Sequence, residues 1–251
     1  MIMAGENYPD EQRYEYLTKF GIGQPTGLNL PGESSGLLTN PSAWDLRTRN
    51  TILFGQGYAV NALQLNNVVA TIANKGVKQQ QSIIKSTTDA NGKTTETKKG
   101  EATRVVDEKV ASDMMNAMES VAEGYNKFVK VDGYRMAAKS GTAEVQGSDG
   151  TLSSIISDYS VVIPADNPRY AVTVVMKDPN GVFGGLTTGL FPHRFVSSLC
   201  RNTRCLSPVH AKMLFQSRGK DQGRKAIAHE CSERIHRPAG DPGNAGRTVR
   251  F

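Results

Sequence analysis

Four consecutive residues, Lys139-Ser140-Gly141-Thr142, have the types and spacing in this chain best suited to chemistry. A lysine and two hydroxyls around a glycine can hold a carboxylate and an acyl group against the flat edge of a strand. The ammonium supplies charge-assisted hydrogen bonds and the hydroxyls supply neutral ones. Glycine removes the Cβ that would obstruct that approach. The tetrad lies in GYRMAAKSGTAEV, where an apolar run gives way to a polar one. The plainer reading is a strand-to-loop junction with ordinary polar residues.

The elements around the tetrad read as α+β: an antiparallel sheet with helices packed on it. Tyr134 to Val145 is a strand. Ser157 to Ile163 and Arg169 to Met176, rich in Val, Ile and Tyr, flank Pro164-Ala165-Asp166-Asn167-Pro168 as a hairpin. Upstream, Arg13 to Phe20 is a short helix stopped by Gly21, and an irregular stretch punctuated by Gly and Pro follows. Asn61 caps a helix carrying Leu65, Val68, Val69 and Ile72 that ends before Gly76. Gln79 to Thr87 reads as a strand, and Asp89-Ala90-Asn91-Gly92 as the turn of an exposed hairpin. Asp107 caps a second helix with Val110, Met114, Ala117, Met118 and Val121 as its apolar stripe. Met114, Met115 and Met118 read as core filler. Trp44 reads as packing against the loop layer, and the glycines of Phe54-Gly55-Gln56-Gly57 as tight-turn residues. Asp178 and Gly184-Gly185 read as turn chemistry after the last strand.

Charge divides the chain at about Leu190. Residues 190–251 hold 12 Lys and Arg against four Asp and Glu, whereas residues 1–189 hold 18 against 20. All four His and all three Cys also fall in the tail. Such a concentrated shift argues against a basic nucleic-acid-binding body, and the tail aromatics Phe191, Phe195, Phe215 and Phe251 are too sparse for a stacking platform. Cys200, Cys205, Cys231 and His229 match zinc spacing only loosely and lack apolar support, so no metal and no cofactor is expected. No apolar run approaches the roughly 20 residues of a membrane span, and the N-terminal residues do not read as a signal peptide.

Four blocks in order, FGIGQPTGLNLPGESSGLL, FGQGYAVNALQLNNVVATIANKG, GYRMAAKSGTAEV and DYSVVIPADNPRYAVTVVMKDP, resemble the transpeptidase domain of class B penicillin-binding proteins. The division-associated subgroup, which crosslinks septal peptidoglycan, is the nearest likeness. The resemblance covers roughly residues 1–189, about the C-terminal half of such a domain. It implies the penicilloyl serine transferase fold shared with β-lactamases, in incomplete form. By this resemblance Lys139 supplies positive charge, Ser140 and Thr142 bind the substrate carboxylate beside Gly141, and the Thr142 N–H is half of an oxyanion hole. The implied substrate is the peptide stem of peptidoglycan, with β-lactams as mimics. The implied parent is membrane-anchored and extracytoplasmic, with division-complex membrane proteins as partners.

The family's mechanism also needs an S-x-x-K serine on a helix and an S-x-N hydroxyl. S-x-N is absent, and S-x-x-K occurs only as Ser82–Lys85, in a β-like run, and Ser217–Lys220, in the irregular tail. A strand puts residues three apart on opposite faces, so Lys85 cannot serve Ser82. The expectation is therefore truncation, with both motifs upstream of Met1 and this chain inactive alone. Two other readings stay open: a non-catalytic binding module that keeps the fold, and a β-lactamase-like hydrolase, which lacks an evident deacylating base here. Phe191 to Leu199 suggests a turn of helix, but beyond it the tail has no apolar period and reads as irregular or disordered. A frameshift near Gly189 is the hypothesis its composition suggests. Sequencing the gene is expected to show an inserted or deleted base there, and an uninterrupted frame in the source DNA would end the idea.

Overall fold

A computed structural model describes residues 2–5, 7–98, 100–124, 131, 133–146, 151–178, 210–215 and 248–250. Its helices are α1 (Ile2–Gly5), α2 (Asp10–Phe20), α3 (Leu46–Thr51), α4 (Ala62–Ala73) and α5 (Glu108–Gly124). Its strands are β1 (Val77–Gln79), β2 (Ser86–Thr88), β3 (Thr94–Glu96), β4 (Ala102–Arg104), β5 (Ala137–Gln146), β6 (Leu152–Ile163), β7 (Tyr170–Lys177), β8 (His210–Phe215) and β9 (Thr248–Arg250). The main sheet runs β5-β6-β7-β8, antiparallel through β7 and parallel between β7 and β8.

Burial on both faces explains the Val- and Ile-rich arms of β6 and β7. The pairing Ala137–Val162–Ala171 turns those three residues toward α4 and α5, where Val69, Ile72, Ala73 and Met118 meet them. Ala138, Tyr159, Val161, Ile163, Tyr170 and Val172 alternate onto the opposite face and form a second cluster with Met136 and Val131.

Helix α4 is held by polar groups as much as by apolar ones. Asn61 and Gln64 form a reciprocal capping box: Gln64 N–H donates to Asn61 Oδ1 (2.8 Å), and Asn61 N–H donates to Gln64 Oε1 (2.9 Å). The same buried Gln64 donates through Nε2 to the carbonyls of Gly21, Gln24 and Ser35 (3.2, 2.7 and 2.8 Å), tying the irregular N-terminal loops to the helix. One turn on, buried Asn66 donates to the Ala171 carbonyl and to Thr173 Oγ1, both at 3.2 Å. Thr173 is in turn 2.9 Å from the Ser160 hydroxyl. On the other side of the sheet entry, Arg135 donates to both carboxylate oxygens of Glu119 (2.6 and 2.7 Å), fastening α5 to the chain that enters β5.

Three details differ from the sequence expectations. Gln79 to Thr87 is not one strand, because residues 80–85 break it. The Ser82 hydroxyl donates to the Ile84 carbonyl (3.0 Å) and accepts from the Ile84 N–H (3.3 Å), a local turn that competes with sheet pairing. The buried face of α5 is Ala111, Met118 and Ala122 with Met115 beside them, whereas Val110 and Met114 are exposed. Small alanines let the helix approach the sheet closely, so the seam is turned one position from the bulkier residues. The tail read as irregular supplies β8 and β9, the latter paired with β2. The glycine pair 184–185, Gly189, residues 191–199 and the four residues Ser217–Lys220 lie outside the described residues.

Three further local expectations hold. Helix α2 ends at Gly21, whose φ of +99° fits a left-handed cap that glycine adopts without strain. The Asp89–Gly92 turn joins β2 to β3, with the Asp89 carboxylate accepting from the Asn91 and Lys93 N–H groups. Buried Trp44 packs edge-on to Tyr14, and its indole N–H donates to the Thr39 carbonyl at 2.9 Å.

The buried Gln64 side chain makes four hydrogen bonds, one through Oε1 and three through Nε2. Gln64→Ala is expected to lower stability by about 1–3 kcal/mol. Chemical denaturation of the two proteins measures it, and equal midpoints would remove Gln64 from this anchoring role.

Candidate functional site

The tetrad lies wholly within β5, whose pairing among the described residues is with β6 alone, so its other edge carries no strand there. The cross-strand partners are Lys139–Ser160, Ser140–Tyr159, Gly141–Asp158 and Thr142–Ser157. Alternation puts Lys139 and Gly141 on the helix-bearing face of the sheet, and Ser140 and Thr142 on the other. Lys139 and Thr142 are exposed, while Ser140 and Gly141 are half-buried. An edge strand lets side chains from both faces reach round to a ligand laid along the rim. Lys139 Nζ donates to the carbonyl of Ser140, and the Ser157 hydroxyl donates to the Gly141 carbonyl at 3.3 Å.

Gly141 is required by what lies opposite. A Cβ built there would stand 2.0 Å from Asp158 Oδ2 and 2.8 Å from its Cγ. The carboxylate of β6 therefore occupies the space that any other residue at 141 would fill.

Sequence reasoning did not single out Asp158. It is the single acid in the strand run SIISDYSVVI, and an acid among β-branched and aromatic residues was the available signal. Burial pushes its carboxyl above the usual aspartate range, and the positive charge of Lys139 acts in the opposite direction. Tyr58, half-buried in the segment before α4, is the other group coupled to it. Burial raises the Tyr58 phenol, and the Asp158 charge raises it further. The Phe54-Gly55-Gln56-Gly57 turn brings Tyr58 there, with both glycines at positive φ, +91° and +83°. The site thus joins β5, β6 and the turn ahead of α4, and the Asn66–Thr173–Ser160 row runs beneath the helix to the residue paired with Lys139.

The other candidates separate from this place. The Ser82 hydroxyl is engaged with its own backbone, and Ser82 and Lys85 line a groove of about 240 Å³ with Gln79, Gln80 and Glu96 that shares no residue with the tetrad. Asp178 closes the end of β7 on β6: its Oδ1 accepts from the Ser154 hydroxyl (2.8 Å) and the Ile155 N–H (2.9 Å). Cys200, Cys205, Cys231 and His229 lie outside the described residues.

Residues 1–190 match the penicillin binding protein transpeptidase domain. The chain belongs to that family. It is 36% identical over 182 residues to the peptidoglycan D,D-transpeptidase FtsI of Escherichia coli K12, covering 70% of this chain and 29% of that protein. It is similar in structure to a peptidoglycan synthetase from Bifidobacterium adolescentis, with a TM-score of 0.75 and 56% identity over 90% of this chain and 39% of the other. It is likewise similar to penicillin binding protein 3 of Mycobacterium tuberculosis complexed with ampicillin, at a TM-score of 0.71 and 27% identity, covering 90% of this chain and 51% of that one. The chain spans about 30% of the length of its curated relatives. Its fold is that of penicillin-binding protein transpeptidase domains. Among the described residues, no helix is long and apolar enough to cross a membrane.

The raised Asp158 carboxyl carries a signed consequence. A proton bound more tightly in the folded state stabilises the fold in acid, and that contribution is lost as pH rises through the raised value. Asp158→Asn is therefore expected to melt at higher temperature than the parent at pH 7, with the difference closing below about pH 4. Thermal melts across pH measure it; a gap that widens in acid would contradict the burial of this carboxyl.

Proposed function

We propose that this chain forms one wall of a peptidoglycan D,D-transpeptidase site, the wall that grips the acyl donor. The observation that carries the reading is a lysine-hydroxyl-glycine-hydroxyl ribbon, exposed at Lys139 and Thr142, on a strand edge that carries no partner strand among the described residues, in a chain of this family. Lys139 and the hydroxyls of Ser140 and Thr142 bind the donor's carboxylate. Gly141 leaves room for the Asp158 carboxylate behind the ribbon. The Thr142 N–H is one donor of an oxyanion hole, a contribution worth about 3 kcal/mol per donor in comparable sites. The substrate is the peptide stem of peptidoglycan, and β-lactams compete as its mimics; the ampicillin complex of the mycobacterial relative supports that ligand class.

The attacking serine comes from polypeptide outside these 251 residues. S-x-N does not occur in the sequence; of the two S-x-x-K serines, Ser82 is committed to a backbone turn and Ser217 lies in the tail, outside the described residues. The assembled protein is membrane-anchored, faces the extracytoplasmic side and works with division-complex membrane proteins, as the likeness to FtsI suggests.

Labelling with a fluorescent penicillin tests this. The 251-residue chain alone is expected to take up no covalent label, and a longer form of the protein carrying an S-x-x-K serine is expected to label. Lys139→Ala in the longer form should slow labelling by about tenfold to a hundredfold, the cost of one charge-assisted hydrogen bond to a carboxylate. Label on a serine of the short chain would refute the division of labour, and an unchanged rate in Lys139→Ala would refute the ribbon's role.

A further inference from the structure

Asp158 is a half-buried acid in a strand otherwise filled by apolar and hydroxyl side chains, and its partial desolvation is a cost to the fold. It lies on the helix-bearing face, directly opposite Gly141 and diagonally opposite Lys139. Diagonal neighbours in an antiparallel pair are roughly 7–8 Å apart, within reach of a long side chain. Nothing at position 141 stands between them, and the carboxylate fills the place of the missing Cβ. The Asp158 charge also acts on Tyr58, in the segment before α4. From β7, Val175 pairs with it and Lys177 lies two residues further along.

We propose that Asp158 is a positioning residue for Lys139: seated in the gap that Gly141 leaves in β5, its carboxylate draws the ammonium along the helix-bearing face and sets the direction from which Lys139 meets an anionic ligand. Ser160, held by Thr173 and through it by Asn66, fixes the register of β6 and β7 beneath the lysine stem. In this structure Lys139 Nζ donates to the Ser140 carbonyl of its own strand, and Asp158 is the acid diagonally opposite it on β6. A half-buried carboxylate that is partly desolvated beside a ligand-binding lysine fits a group kept for the site rather than for the fold. The ligand's identity rests on the transpeptidase reading; the pairing of Asp158 with Lys139 does not.

The test uses the full 251-residue chain and needs no ligand. With ¹⁵N-labelled lysine, the Lys139 ammonium resonance is expected to stand apart from those of exposed lysines, and to move onto them in Asp158→Asn. With ¹³C-labelled aspartate, the Asp158 carboxyl is expected to titrate at higher pH in Lys139→Met than in the parent, because the lysine's charge is gone. Gly141→Ala, whose methyl would meet the carboxylate, should displace both signals. Backbone amide spectra that superimpose away from β5 and β6 show that the variants are folded, and exposed Lys139 tolerates substitution even if Asp158 does not. An unmoved Lys139 resonance in Asp158→Asn, or an unmoved Asp158 titration in Lys139→Met, overturns the proposal. Failure of penicillin labelling in the longer protein would instead overturn the transpeptidase reading and leave this pairing standing.

Discussion

The rest of the structure depends on the register of β5 against β6. A strand's side chains alternate with a period of two, so a slip of one residue would exchange the faces of every residue in the pair. In the observed register Ala137 meets Val162 beneath the helices, Lys139 meets Ser160, and Gly141 meets Asp158. Each pairing suits its residues. Alanine sits where α5 approaches, the long cation lies toward the rim, and the residue without a side chain lies where a carboxylate needs room.

Two kinds of interaction hold that register. Apolar burial acts on both faces of β6 and β7, and at roughly 25 cal/mol per Å² it supplies most of the driving force while being insensitive to direction. The directional part comes from a few buried polar groups. Gln64 collects loop carbonyls around the start of α4, and Asn66 joins that helix to β7 and through Thr173 to β6. Leaving any of these groups unpaired in the interior would cost more than its bond contributes, so the network selects one arrangement of helix on sheet. The Glu119–Arg135 pair adds a surface tie between α5 and the start of β5.

Much of this was legible in the sequence because it is local. Asn61 announces a helix start, Gly21 a helix end, and Asp89–Gly92 a hairpin turn. The tetrad itself was readable because its residue types suit one task. What escaped is what depends on contacts distant in sequence. The seam of α5 follows Ala111 and Ala122 because the sheet comes close there, which the bulkier Val110 and Met114 conceal. The run from Gln79 to Thr87 carries the β-branched residues Ile83, Ile84 and Thr87 that suit a strand, but the Ser82 hydroxyl gives its backbone a local alternative. The place of Asp158 behind Gly141, and of Tyr58 beside it, becomes visible only when strands 16 residues apart in the chain, measured from Ser157 to Gly141, lie side by side.

Cross-strand nuclear Overhauser effects measure the β5–β6 register directly. The account predicts contacts between Gly141 and Asp158, between Lys139 and Ser160, and between Ala137 and Val162. Contacts that instead put Ser140 opposite Asp158 would turn the lysine to the other face of the sheet and contradict the site as described.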